Sequence, residues 1–186
     1  MSEGQAENPR SRRAAGVLTV TVAVALVLVA IGLRRTAPPP SGLEGQRVEP
    51  IVLPRLPLRP QPQVERITLG AANGHATLVH FWGPSCAPCV EEAPQIAAVS
   101  AEAAGFGAEV LTVSAEDVAE IRAFLLGAGL QMPVLHDAAG QAYERFRVAA
   151  IPHTFVLGKD GAVRREWLGP QDKATLLAAL RQAQNE

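Results

Sequence analysis

Residues 81–89 read FWGPSCAPC, and they contain both cysteines of the chain, Cys86 and Cys89. At this spacing, at the start of a helix, the two side chains lie on nearly the same helical face, with Cβ atoms roughly 5–6 Å apart. Two thiols so placed can form a disulfide with little backbone movement. A ring this short restricts the unfolded chain far less than a long loop does, so it is a poor structural staple. The spacing therefore favours a disulfide that opens and closes during a reaction.

Length and composition limit the classes of protein to which the chain can belong. The 186 residues carry a formal net charge of −1 at pH 7, and aromatic residues make up 4% of them. This length allows one domain with additional segments. The near-neutral charge gives no indication of nucleic-acid binding, so no nucleic-acid partner is expected.

The N-terminal part predicts a membrane anchor. Residues 16–33, GVLTVTVAVALVLVAIGL, form an uncharged apolar run whose length fits a transmembrane helix and exceeds the core of a cleaved signal. A small excess of arginine on its N-terminal side predicts residues 1–15 in the cytoplasm and the rest of the chain outside. A cleaved signal is the alternative, because the stretches that end at Ala30 and Ala37 finish in small residues.

Residues 34–63 are rich in proline, which lacks a backbone donor and restricts its own φ. Such a segment predicts an extended, semi-stiff linker that separates the anchor from the domain. Within it, residues 51–53, IVL, predict a short edge strand packed on the domain. Outside the cytoplasm disulfides persist, so the compartment suits a redox-active pair of cysteines.

Residues 64–186 alternate between strand-like and helix-like patterns. The predicted strands are 77–82, 109–113, 153–157 and 162–167, and the predicted helices are 86–104, 115–126, 138–146 and 171–183. Ser114 is the predicted N-cap of the second helix. The turn GKDG at 158–161 predicts a hairpin between the last two strands. This order predicts an α/β fold with a central mixed sheet and helices on both faces.

The position of Cys86, directly after a predicted strand and at the start of a helix, predicts a reactive sulfur. The unpaired N–H groups and the positive end of the helix dipole favour its thiolate, which is the species that attacks disulfides. Cys89, one turn further along, is predicted to resolve the mixed disulfide. A static disulfide and a metal site are the alternatives, although zinc sites normally need four ligands and the chain has no second cysteine pair.

Two motifs together resemble the thioredoxin superfamily. They are Phe81-Trp82 followed by Cys-Ala-Pro-Cys at 86–89, and Ile-Pro-His-Thr-Phe at 151–155. With the N-terminal anchor, the chain is most similar to the membrane-anchored, extracytoplasmic thiol–disulfide oxidoreductases of the TlpA, ResA and CcmG type. The resemblance implies a thioredoxin fold over residues 64–186.

The resemblance also implies roles for individual residues. Pro152 would be a cis-proline that faces the two cysteines and leaves the backbone of Ile151 free to pair with a substrate strand. Substrate contacts are further expected from Trp82 and His153. Glu92 matches a glutamate of ResA-like proteins and would move a proton to or from the resolving sulfur; the alternative is an exposed helix glutamate.

The chain departs from thioredoxins near the cysteines. Ser85 stands where thioredoxins usually carry tryptophan, and His80 stands where they have a buried aspartate. A histidine there could accept a proton or could be a neutral core residue. His153 could complete a copper site with Cys86 and Cys89.

The expected function is that of a disulfide reductase tethered to the bacterial inner membrane, with its catalytic domain on the periplasmic or extracytoplasmic side. It would need no cofactor. By resemblance it would receive electrons from a membrane donor similar to DsbD or CcdA and act on apocytochrome c or copper-site cysteines. A copper-binding carrier is the alternative. A peroxidase is not expected, because Val79 and Gly83 occupy the proline and threonine places of its Pro-x-x-x-Thr-x-x-Cys pattern.

Overall fold

The computed structural model describes residues 41–59 and 61–186. The predicted anchor at 16–33, the predicted cytoplasmic segment 1–15 and the first part of the predicted linker lie outside these residues. Within the described part, no helix is long and apolar enough to cross a membrane.

The domain is built on a five-stranded mixed sheet with the order β5-β4-β3-β6-β7. The central strand β3 pairs in parallel with β4 and antiparallel with β6, so the chain direction changes in the middle of the sheet. The strands of this sheet are β3 (Thr77–Phe81), β4 (Glu109–Ser114), β5 (Val134–His136), β6 (His153–Leu157) and β7 (Val163–Leu168). The helices are α1 (Ala87–Ala103), α2 (Val118–Ala128), α3 (Gln141–Arg145) and α4 (Lys173–Asn185), and a short 3-10 turn follows α1 at Ala104–Phe106.

Two apolar clusters cover the two faces of this sheet. Every residue of β3 is buried, and its alternate side chains enter different clusters. Leu78 packs in the cluster that includes α1, α2 and α4, whereas Val79 and Phe81 pack in the cluster that includes α3. Because side chains alternate along a strand, each face of β3 meets its own helical layer. The predicted mixed sheet with helices on both faces is therefore confirmed.

The packed domain begins earlier than the predicted residue 64. Leu43 and Val48 are buried, and β1 (Ile51–Pro54) pairs antiparallel with β2 (Arg66–Leu69) in a separate two-stranded sheet. Pro50 lies just before β1 and Pro54 is its last residue. Both are compatible with pairing because β1 is an edge strand. The predicted short strand at 51–53 is present, but the linker boundary was placed too late.

Several predicted boundaries differ from those of the structure. Ser114 ends β4 and does not cap α2, which starts at Val118 with Asp117 as its N-cap. The Asp117 carboxylate accepts from two first-turn amides, a contact that Ser114, three residues earlier, does not make. The three-residue strand β5 was missed, because so short an apolar run has no visible period.

Candidate active site

Cys86 and Cys89 are joined by a disulfide at the N-terminus of α1. Cys86 is the N-cap residue, and its Sγ accepts a hydrogen bond from the backbone N–H of Cys89 at 3.3 Å. Pro88 fits in the first turn, where a missing N–H leaves no helical bond unmade. Cys86 is half-buried and Cys89 is fully buried. Only the first sulfur is therefore open to an incoming partner.

The loop before β6 faces this disulfide. The Ile151–Pro152 peptide bond is cis, as the resemblance implies. The carbonyl oxygen of Ile151 lies 3.6 Å from Cys86 Sγ. Ile151 is half-buried, and within residues 41–59 and 61–186 its backbone N–H has no hydrogen-bond partner. The structure thus brings the reactive sulfur beside a backbone segment with a free donor.

A buried polar group lies behind the disulfide, between α1 and β3. Glu92 is 1% exposed, and its Oε1 accepts from the backbone N–H of Gln171 at 2.8 Å. Its Oε2 lies 4.0 Å from His80 Nε2, and His80 Nδ1 is 2.9 Å from Thr154 Oγ1. The alternative of an exposed helix glutamate is wrong for Glu92, whereas its neighbour Glu91 is exposed.

Burial decides the ionisation of this group. Desolvation lowers the pKa of His80 to about 3, so the imidazole is neutral at ordinary pH. Desolvation also raises the pKa of Glu92, against the opposing effect of the hydrogen bond from Gln171. A carboxyl group with a raised pKa can hold a proton closer to neutrality than an exposed one can.

Two of the predicted substrate contacts are not on the surface. Trp82 is fully buried, packs against Phe124 and has no partner for its Nε1 within the part of the chain that the structure describes. His153 is 1% exposed, and its Nε2 lies 2.9 Å from Glu166 Oε1. Both predictions of direct contact with a substrate are corrected on this ground, because neither side chain reaches solvent.

His153 also does not complete a copper site. It pairs in register with Phe81 and stacks at 4.4 Å on Phe155, which packs in the cluster on the α3 face of the sheet. The disulfide belongs to the opposite cluster, with α1. Among residues 41–59 and 61–186, no group of three or more histidine, cysteine, aspartate or glutamate side chains is arranged to hold a metal ion.

Two residues that sequence reasoning missed, Glu116 and Tyr143, contact the loop between β3 and α1. The Glu116 carboxylate accepts from both the backbone N–H and the hydroxyl of Ser85, and Tyr143 donates to the carbonyl of Trp82 at 3.3 Å. Burial, and then the charges of Glu116 and Asp137, raise the pKa of Tyr143. The sequence could have indicated Glu116, because it follows β4 just as the cysteines follow β3. These strands are parallel neighbours, so the residues after them lie at the same edge of the sheet.

A central mixed sheet, a disulfide at a helix N-terminus and a facing cis-proline together define a thioredoxin-like fold. Residues 50–166 match the AhpC/TSA family, and the chain belongs to that family.

Individual relatives agree with this assignment. Over 114 residues the chain is 30% identical to the thiol-disulfide oxidoreductase ResA of Bacillus thuringiensis subsp. konkukian, a match that covers 60% of this chain and 65% of ResA. The chain thus covers slightly less than two thirds of that relative. The structure of StoA from Bacillus subtilis is similar with a TM-score of 0.60 and 23% identity, covering 71% of this chain and 98% of StoA. A secreted thiol-disulfide isomerase from Corynebacterium glutamicum is similar with a TM-score of 0.64 and 20% identity, covering 75% and 86%.

Proposed function

We propose that this protein is an extracytoplasmic thiol–disulfide oxidoreductase, tethered to the membrane by residues 16–33, that reduces disulfides in other proteins. The observation that carries the proposal is the placement of the Cys86–Cys89 disulfide at the N-terminus of α1, opposite the cis bond of Ile151–Pro152. The match to ResA supports the same chemistry.

The reaction balances as an exchange of two electrons and two protons. In the reduced protein, the Cys86 thiolate attacks one sulfur of the substrate disulfide, which forms a mixed disulfide and releases the first substrate thiol. The Cys89 thiolate then attacks Cys86 Sγ and releases the second substrate thiol. Cys86 and Cys89 end as the disulfide that the structure contains. A dithiol donor in the membrane would return the two electrons.

The difference in exposure between the two sulfurs supports this order of events. Cys86 is half-buried and lies 3.6 Å from the Ile151 carbonyl, so an external sulfur can approach it. Cys89 is fully buried and is reached only through Cys86. The free N–H of Ile151 would pair with an extended segment of the substrate, which orients its disulfide toward Cys86.

Proton transfer is assigned to Glu92, with His80 as its buried neighbour. The resolving sulfur is fully buried, so its proton needs an internal acceptor or donor. Glu92 lies one turn after Cys89 on α1, and burial raises its pKa toward the range in which it can exchange a proton. His80, neutral at ordinary pH, would position Glu92 from 4.0 Å away.

The location and the partners are argued from the N-terminal sequence and from the comparisons with relatives. The apolar residues 16–33 support a single-pass anchor in the bacterial inner membrane. The similarity to a secreted isomerase supports an extracytoplasmic domain. We extend the proposal to a membrane donor similar to DsbD or CcdA, and to apocytochrome c or copper-site cysteines as protein thiol substrates.

Reduction of a protein disulfide by the wild type and by cysteine variants tests the proposal. The full chain in detergent should reduce a disulfide-bonded apocytochrome c, and Cys86→Ser should abolish the reaction. Cys89→Ser should instead accumulate a mixed disulfide through Cys86, which mass spectrometry identifies. If Cys89→Ser forms no mixed disulfide, or if the wild-type potential lies below about −300 mV with no exchange, the Cys86–Cys89 disulfide is an inert structural bridge and the proposal fails.

A further inference from the structure

The loop that carries Cys86 is held by a carboxylate from another element. Glu116 Oε2 accepts from the backbone N–H of Ser85 at 3.1 Å, and Glu116 Oε1 accepts from the Ser85 hydroxyl at 2.6 Å. Ser85 directly precedes Cys86, and both Ser85 and Glu116 have solvent access. A negative charge therefore lies one residue away from the reactive sulfur.

The position of Glu116 is set by its own backbone contacts. Its N–H donates to Ser114 Oγ at 3.3 Å, and its carbonyl accepts from His136 Nε2 at 3.1 Å. Ser114 ends β4 and His136 ends β5, so two strands of the sheet hold the residue. The fold thus fixes the backbone of Glu116, and the two hydrogen bonds to Ser85 hold its carboxylate.

The loop leaves room for this carboxylate at Gly83. A Cβ atom added to Gly83 would lie 1.9 Å from Glu116 Oε1, well inside van der Waals contact. A side chain at this position would have to displace the Glu116 carboxylate. Because Gly83 has no side chain, the loop between β3 and α1 leaves space for the Glu116 carboxylate.

We propose that Glu116 sets the redox direction of the Cys86–Cys89 pair by destabilising the Cys86 thiolate and so favouring the disulfide form. The inference refines the proposed reductase and rests on its exchange chemistry. A protein whose disulfide form is favoured gives up its electrons more readily, and so acts as a reductant.

Two opposing effects act on the Cys86 sulfur. The N-terminus of α1 and the N–H of Cys89, 3.3 Å away, stabilise a thiolate. The Glu116 carboxylate repels it, since like charges disfavour ionisation. The disulfide is uncharged, so both effects act on it more weakly than on the thiolate, although its sulfur still accepts from the Cys89 N–H. Removal of the Glu116 charge therefore stabilises mainly the reduced form, which makes the protein more oxidising.

Other titratable groups lie on the elements that carry the pair, and all the variants below share them. Glu91, exposed, and Glu92, buried, lie on α1, and neutral His80 lies on β3. Of the acidic side chains, Glu116 alone among the described residues hydrogen-bonds to the Ser85 segment. This direct contact is what distinguishes Glu116 from Glu91 as the group that acts on Cys86.

Glu116→Gln separates the charge from the contact. The amide can accept from the Ser85 N–H and donate to the Ser85 hydroxyl, so the loop stays held while the charge is lost. We expect the Cys86 thiol pKa, followed by thiolate absorbance of the reduced protein, to fall by about one unit. At a pH above both thiol pKa values, the equilibrium constant with glutathione should shift about tenfold, or about 30 mV, toward the reduced protein.

Two further variants make the result interpretable. Glu144→Gln removes an exposed charge on α3 and should leave both quantities at the wild-type values. Gly83→Ala pushes the Glu116 carboxylate away by its Cβ and should shift both in the same direction as Glu116→Gln.

An unchanged Cys86 pKa and glutathione equilibrium in Glu116→Gln would overturn the inference, whatever the wild-type potential. Equal shifts in Glu116→Gln and Glu144→Gln would also overturn it, because net charge alone would then explain them. A wild-type protein that exchanges with no substrate disulfide counts against the proposed function instead. The two failures are therefore distinguishable.

Discussion

His80 Nε2 lies 4.0 Å from Glu92 Oε2, and both residues are 1% exposed. Since burial lowers the pKa of His80 to about 3 and raises that of Glu92, the environment moves both groups toward their neutral forms. The contact is therefore not an ion pair near neutral pH. The contact joins β3, which leads into the loop before Cys86, to α1, which carries Cys89. Because both pKa values are shifted, the pH dependence of stability and of exchange tests the contact.

Acid should destabilise the protein through His80. The unfolded histidine, with a pKa of 6.5, binds a proton below that value, whereas the folded one does so only near pH 3. Stability is therefore fully present above pH 6.5 and is lost as the pH falls toward 3, with a slope of about 1.4 kcal/mol per pH unit. Urea unfolding of wild type and His80→Asn across this range measures it. The variant should lack this slope, and His75→Asn, a half-exposed histidine, should retain it. If the free energy of unfolding depends on pH in the same way in wild type and His80→Asn, His80 is not the group responsible.

Glu92→Gln should change the pH profile of disulfide exchange. Positioned acids and bases contribute about 10²–10⁴-fold, so we expect the resolving step to slow by at least tenfold. The inflection due to the Glu92 carboxyl group should disappear from the rate measured by stopped flow. Glu91→Gln, one residue away and exposed, is the matched control and should keep the wild-type profile. Superimposable profiles for Glu92→Gln and wild type would remove the role of Glu92.

The same substitution should raise the stability at neutral pH. Because the folded pKa of Glu92 is raised, the wild type holds this contribution to stability at low pH and loses it as the pH rises through the folded value. A glutamine stays neutral and can still accept from the Gln171 N–H. The free energy of unfolding of Glu92→Gln should therefore exceed that of wild type at pH 7, and the difference should shrink in acid. A lower stability of the variant at pH 7 would contradict the stated cause.

Glu166→Ala should be strongly destabilising. Glu166 is 3% exposed as a side chain, lies 2.9 Å from buried His153 and also accepts from the backbone and hydroxyl of Ser41. Its loss leaves a buried imidazole without a partner, which costs about 1–3 kcal/mol or more. Glu65→Ala breaks the exposed pair with Arg55 and should cost less than about 1 kcal/mol. Chemical unfolding compares the two, and equal losses would mean that burial is not the cause.

Tyr143→Phe should loosen the loop that precedes the disulfide. The hydroxyl donates to the Trp82 carbonyl at 3.3 Å, and one such bond contributes about 1 kcal/mol. The edge-on packing of the ring on Phe81, with centroids 5.0 Å apart, is kept by phenylalanine. We therefore expect a loss of about 1 kcal/mol and faster exchange of the backbone amides of Gly83 and Ser85. Wild-type stability and exchange would show that the hydroxyl contributes nothing.

Sequence reasoning succeeded where the site is carried by short contiguous motifs. Cys86 and Cys89 lie within one helical turn, and the strand before them was an evident apolar run, so their place at a helix start could be predicted. The cis bond at Pro152 was also predicted, but from family resemblance, because no local pattern separates a cis from a trans proline.

The failures have physical causes of their own. His153 lies in β6 and Trp82 directly follows β3, and both were expected to meet a substrate. Both strands are buried on both faces, so no alternation of polar and apolar residues reveals which way a side chain points. The contact between Ser85 and Glu116 joins residues 31 positions apart and exists only because β3 and β4 are neighbours. The hairpin of β1 and β2 was hidden because its prolines resemble a linker.

The sulfur of Cys86 is both the reacting atom and the acceptor that caps α1, since the N–H of Cys89 donates to it. The strength of that hydrogen bond must follow the charge on the sulfur, because a thiolate accepts more strongly than a disulfide sulfur. The Cys89 amide proton is therefore a built-in reporter of oxidation state. Its NMR chemical shift would follow each turnover without any label on the reacting cysteines.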